Sequence, residues 1–87
     1  MLKPVEAEVE VALPSERFVE IIVRALKPET ESAPSDRSQV AVSGEGSRLL
    51  LWMRARDFSS FRAALNSYLR WVEAMGEVLS LLEAGNR

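Results

Sequence analysis

The stretch from Asp57 to Glu83, DFSSFRAALNSYLRWVEAMGEVLSLLE, constrains this chain more than any other, because it reads as one long helix with more apolar surface than a single core can use. Advancing by the helical turn angle from Tyr68 puts Phe61, Leu65, Tyr68, Val72, Met75, Leu79 and Leu82 on one stripe. Trp71, Ala74, Val78 and Leu81 lie beside that stripe and widen the apolar arc well past what one neighbour covers. At ~1.5 Å per residue the helix spans about 40 Å, whereas a compact chain of this size is only about 30 Å across. Part of it should therefore meet another chain. The expected division sends Phe61, Leu65, Val72, Met75 and Leu79 toward the molecule's own sheet, and Trp71, Ala74, Val78 and Leu81 toward a protein partner. Arg62 and Asn66, polar and near the helix start, are assigned to anchoring it at the sheet's end.

With 87 residues, 47% of them hydrophobic, positions 1–87 suffice for a single domain with one modest core and no deep enclosed active site. The chain has no cysteine and no histidine, which removes disulfides, thiolate nucleophiles, imidazole bases and the common zinc sites. A net charge of −2 gives no bulk drive toward nucleic acid or an anionic membrane. The N-terminus alternates valine with glutamate instead of forming an apolar leader, and no stretch reaches the apolar length of a membrane span. A soluble, cytoplasmic protein is the expectation, with no membrane partner.

Val5, Ala7, Val9 and Val11 alternate with Glu6, Glu8 and Glu10, the period of a strand with one buried and one wet face. Ser15 is placed to cap a helix in which Phe18, Ile21, Ile22, Ala25 and Leu26 share a face, and Pro28 is expected to stop it after about Lys27. PETESAPSD, Pro28 to Asp36, reads as an exposed loop. Arg37 to Ser43 and Leu49 to Ala55 read as two further strands, joined by a hairpin at Gly44-Glu45-Gly46. The third, LLLWMRA, is apolar on both faces and should be central, with Leu49, Leu51 and Met53 inward and Leu50 and Trp52 outward. Asp57, Ser59 or Ser60 caps the long helix, and Gly85 suits its C-terminal end. The fold class is α+β: a two-layer, three-stranded antiparallel sheet with both helices on one face, in the order strand-helix-strand-strand-helix.

Candidate chemistry is sparse. Glu6, Glu8 and Glu10 share a strand face with a spacing suited to a divalent cation, but alternating charge is also what a solvated face that resists edge pairing looks like. Neither Lys3 nor Lys27 has an apolar pocket to depress its pKa, and the serines lack an activating base. GEGSR leads into a strand and lacks the phosphate-loop lysine. No catalytic residue, cofactor or metal is expected. Arg54, Arg56, Arg62 and Arg70, interleaved with Trp52, Tyr68 and Trp71, are candidate RNA contacts. The alternative function on this basis is a small autonomous RNA-binding α+β domain.

SERFVEIIVRALKPE, a polar loop, a DR-x-x-V strand, a glycine hairpin, LLLWMRARD and FRAALNSYLRWVE together resemble, in order and spacing, the CTAG/Pcc-type small subunit of the KEOPS tRNA-modification complex. The most specific pieces are Ser15-Glu16-Arg17, Ala55 with Asp57, and Arg62 followed by Asn66-Ser67-Tyr68-Leu69. This resemblance implies a non-catalytic subunit of the machine that forms N6-threonylcarbamoyladenosine at position 37 of tRNA. It further implies homodimers whose helices pack on the catalytic threonylcarbamoyl-transferase subunit, with tRNA met indirectly through the complex. Trp71, Ala74, Val78 and Leu81 are then assigned to the transferase contact, and Leu50 and Trp52 to the dimer face.

Overall fold

The computed structural model describes residues 4–32 and 38–85. Strand β1 (Val5–Ala12) leads to helix α1 (Glu16–Ser32), then strands β2 (Ser38–Glu45) and β3 (Arg48–Ala55), and finally helix α2 (Phe58–Gly85). The sheet order is β1-β3-β2 with both pairings antiparallel, so the strand that is apolar on both faces is the central one. Val9, Leu51 and Val42 are in register across the sheet, as are Glu8, Trp52 and Ala41.

The period-two pattern of β3 decides which layer covers which face. Leu49, Leu51, Met53 and Ala55 are all buried beneath the helices. Phe18, Val19, Ile22 and Leu26 descend from α1, Val72 comes from α2, and Tyr68, Leu69, Met75 and Leu79 pack at the margin of the same cluster. Each fully buried aliphatic side chain contributes about 1.5–3 kcal/mol relative to exposure, so this one layer is the main source of cohesion. The buried face of α1 is rotated from the sequence reading: Val19 is inside, while Ile21 and Ala25 are exposed. The helix sits chiefly over β2, and Val19 is turned toward Gly44 there.

Two boundaries also differ. Ser15 caps α1, its Oγ accepting the Phe18 amide at 3.3 Å, but the helix does not stop at Lys27. It runs through Pro28 to Ser32, so the Pro28–Ser32 part of the expected loop is helical. Proline lacks the amide that would bond to the carbonyl of Arg24, and Arg24 is an exposed residue. The Thr30 hydroxyl donates to the Lys27 carbonyl at 2.8 Å within this final stretch. Residues 33–37, including Arg37 at the expected start of the second strand, lie outside the described residues.

The hairpin is tighter than expected. Strand β2 continues through Gly44 and Glu45, leaving Gly46-Ser47 as a two-residue turn with Gly46 at φ 60°. That left-handed position favours glycine and suits the twist of the flanking strands. The turn also holds the end of β1, since the Leu13 amide donates to the Ser47 carbonyl at 2.9 Å. Gly44 has a different role: a Cβ there would collide with Cγ1 of Val19, so the glycine lets α1 lie close on β2.

Gly44→Ala should therefore destabilise the protein by about 1–3 kcal/mol through overpacking. In a double-mutant cycle with Val19→Ala, chemical denaturation should show the pair costing less than the sum of the single changes. Strict additivity would refute the close approach as the reason for the glycine.

Candidate protein interface

Helix α2 contains 28 residues, about 42 Å at ~1.5 Å per residue, in a molecule measuring 56 × 21 × 19 Å. It is too long for the sheet beneath it. Phe61, Leu65, Tyr68, Val72, Met75 and Leu79 are buried or half-buried along the inward stripe. From Ser80 to Ala84 every residue is exposed, so Leu82, expected on the core stripe, is 60% exposed instead. The stripe continues, but the sheet below it has ended.

The outward set is exposed as the helical spacing requires: Trp71 at 43%, Val78 at 55%, Leu81 at 73%, and Ala74 between them. Exposed apolar residues scattered singly are common on monomers, whereas a contiguous patch on one helix marks a binding surface. The Trp71 ring is packed at 6.3 Å and tilted 51° against Tyr68, which fixes the orientation of the indole. Burial, and then the nearby charge of Glu29, push the Tyr68 phenol above its usual pKa of 10.0, so the tyrosine is neutral at physiological pH. Phe58, 66% exposed at the first turn of α2, belongs to neither predicted stripe. Beside the outward patch, Pro14, Glu73, Gly76, Glu77, Ser80 and Leu81 line an open, mainly apolar groove of about 580 Å³ between the β1–α1 connection and α2.

The other sheet face is less apolar than the composition of β3 suggests. Leu50 and Trp52 are half-buried at its centre, flanked in register by Glu10 and Glu8 on one side and by Ser43 and Ala41 on the other. The Trp52 indole N–H donates to Glu6 Oε2 at 2.9 Å, and Arg48 Nη1 stands 3.6 Å from Glu10 Oε2. Among the described residues no group of three acidic side chains is arranged to hold a metal ion, and no helix is long and apolar enough to cross a membrane.

The four arginines are divided between two sides of the molecule. Arg54 lies on the outer sheet face in register with Glu6, Arg56 Nε is 3.5 Å from Asp57 Oδ2, and Arg62 and Arg70 are exposed on α2, which covers the opposite face. Neither Arg62 nor Asn66 makes an anchoring hydrogen bond or ion pair among the described residues; both point to solvent. The start of α2 is held instead by Asp57, whose Oδ1 accepts the Ser60 amide at 2.7 Å. Gly85 is the last helical residue, and residues 86–87 lie outside the described residues.

A family model described as "Transcription factor Pcc1" matches residues 6–80, nearly the whole of this architecture. The chain belongs to the Pcc1 family. It is 35% identical over 79 residues to the KEOPS complex subunit Pcc1 of Pyrococcus abyssi, an alignment covering 91% of this chain and 96% of that protein. Its fold matches a chain in the crystal structure of a binary complex Gon7-Pcc1 with a TM-score of 0.79 and 22% identity, over 90% of this chain and 95% of that one. The Pcc1-family match spans the sheet, α1 and most of α2, and so includes Trp71, Ala74 and Val78 as well as Leu50 and Trp52.

The N-cap of α2 in this Pcc1-family chain is titratable. The Ser60 amide and then the Ser60 hydroxyl hold the Asp57 carboxyl below its usual value of 3.8, with Arg56 adding a smaller pull in the same direction against the opposing effect of desolvation. A depressed folded-state pKa gives stability that is present above the unfolded value and lost as pH falls through the folded one. Asp57→Ala should lower the thermal midpoint by several degrees between pH 5 and 8. The gap from the wild type should close on acidification below the usual value of 3.8.

Proposed function

We propose that this protein is a non-catalytic scaffold subunit of a cytoplasmic KEOPS complex, the assembly that forms N6-threonylcarbamoyladenosine at position 37 of tRNA. The observation that carries the reading is the exposed apolar stripe on an α2 longer than its own sheet, in a chain related to a protein named as a KEOPS complex subunit. Trp71, Ala74, Val78 and Leu81 serve as the contact for the catalytic threonylcarbamoyl-transferase subunit. A rigid, pre-oriented indole beside aliphatic side chains has the character of an interface anchor. No catalytic role is needed: without histidine or cysteine, and with its charged groups on open surfaces, the chain supplies binding area instead of chemistry.

Leu50 and Trp52, on the opposite side of the sheet, serve as the self-association face. An isologous contact uses the same patch on both copies, so a half-buried Leu–Trp pair at the centre of the face is covered twice by one packing. Helices on one side and the dimer on the other leave both transferase surfaces free, and one dimer then gathers two copies of the enzyme. Transfer RNA meets the protein through the complex.

Replacing Trp71 and Val78 together by aspartate should abolish co-purification with the co-expressed transferase. Because Trp71 and Val78 are both exposed, the isolated variant should remain folded, with its circular dichroism preserved. Intact co-purification would sink the assignment. On the sheet side, Trp52→Glu should convert a dimer to a folded monomer in light scattering with circular dichroism preserved. Persistence of the dimer would remove the outer sheet face from consideration.

A further inference from the structure

Helix α2 is supported along only part of its length. Its last contact with the core cluster is the half-buried Leu79, and residues 80–84 beyond it are all exposed. A helical segment without tertiary packing must hold itself together by propensity, capping and charge, which in water is marginal for a short stretch. This end of the chain supplies little of these. The last turn of α2 contains no basic residue to meet the negative end of the helix dipole, and the charge it does carry, Glu83, has the unfavourable sign there. Glu73 and Glu77, exposed and one turn apart, repel each other and take part in no ion pair among the described residues.

Gly76 stands where the supported and unsupported parts meet. A glycine that packing demands is recognisable by what a side chain would strike, as Gly44 is by its contact with Val19. At Gly76 a Cβ would meet nothing within 4 Å, and the backbone φ is not positive, so alanine fits there without collision or strain. The folded molecule does not call for this glycine. Its effect is on the open state: glycine has more backbone freedom to regain than any other residue, so a helix parts more readily at that point.

We propose that Gly76 is a breakpoint in α2, at which residues 76–85 melt and re-form as one unit while the sheet, α1 and the first part of α2 stay folded. Opening there gives up the half-buried Leu79 and no other core contact of α2, whereas opening one turn further back would expose Val72, which is only 4% accessible. Leu81 and Leu82, at 73% and 60% exposure, are thereby presented by a segment in equilibrium between helix and coil. Any surface that covers them must also hold the segment helical, so part of the contact energy goes into ordering it. The device resides in the free chain and does not depend on which protein the subunit meets.

The test is residue-resolved amide hydrogen exchange on the full chain alone. In the wild type the amides of residues 80–85 should be protected about a hundredfold less than those of residues 68–72, with the step between Met75 and Ser80. Gly76→Ala should slow exchange of the distal amides about four- to fivefold. Ser80→Pro should speed exchange at residues 68–72 by no more than about tenfold, against the more than about hundredfold that a proline inside a packed helix costs. Uniformly slow exchange along α2 would overturn the proposal. So would Gly76→Ala slowing residues 68–72 while leaving the distal amides unchanged, because opening would then start beyond Gly76. A collapse of protection at residues 68–72 in Ser80→Pro would show the end of α2 to be integral to the fold, which also overturns it.

Discussion

Everything in this molecule depends on the double pairing of β3. A strand hydrogen-bonded on both edges has no freedom of register, so its alternation becomes a fixed assignment of faces: Leu49, Leu51, Met53 and Ala55 to the helices, Leu50, Trp52 and Arg54 to the outside. Slipping by one residue would exchange the two sets and bury an arginine. The tight Gly46-Ser47 turn sets the β2 side of this register, and the Leu13–Ser47 hydrogen bond closes the β1 side near the same end.

The disproportion between the helices and the sheet follows from that core. Strands of eight residues span about 26 Å at ~3.3 Å per residue, which matches the 17 residues of α1, whereas the 28 residues of α2 reach about 42 Å at ~1.5 Å per residue and overrun any one strand. Its inward stripe works as core only where there is sheet to meet it. The same kind of side chain that is buried at Val72 is left in solvent at Leu82, with no change in the sequence pattern between them. Apolar surface that the fold could have shed by substituting polar residues is instead retained at the overhanging end and along the outward face.

Much of this is legible in the sequence because it depends on period and local chemistry. The alternation of VEAEVEV and LLLWMRA determines strands and faces, and the Ser15 and Asp57 caps mark helix starts. What periodicity cannot supply is where an element runs out of neighbours. Leu82 obeys the core spacing, and only the end of the sheet makes it surface. Pro28 misleads because Arg24, whose carbonyl it leaves without an intrahelical donor, is an exposed residue, so the missing bond does not fall in the core. Gly44 misleads in the other direction: beside Gly46 it looks like turn chemistry, but it lies within β2 and its lack of a side chain answers to Val19, far away in sequence. The four arginines look like one cluster along the chain, yet strand alternation sends Arg54 to the outer sheet face while α2 carries Arg62 and Arg70 across the molecule.

The hydrogen bond from Trp52 to Glu6 changes what the outer sheet face can accept. An indole alone would welcome any apolar surface. An indole tethered to a carboxylate brings an anion with it wherever it is covered, and a purely greasy partner would bury that charge without compensation. The seam between β1 and β3 therefore acts as a filter on association: it admits surfaces that pair aliphatic area with a donor or a cation at the right spot, and it penalises indiscriminate sticking.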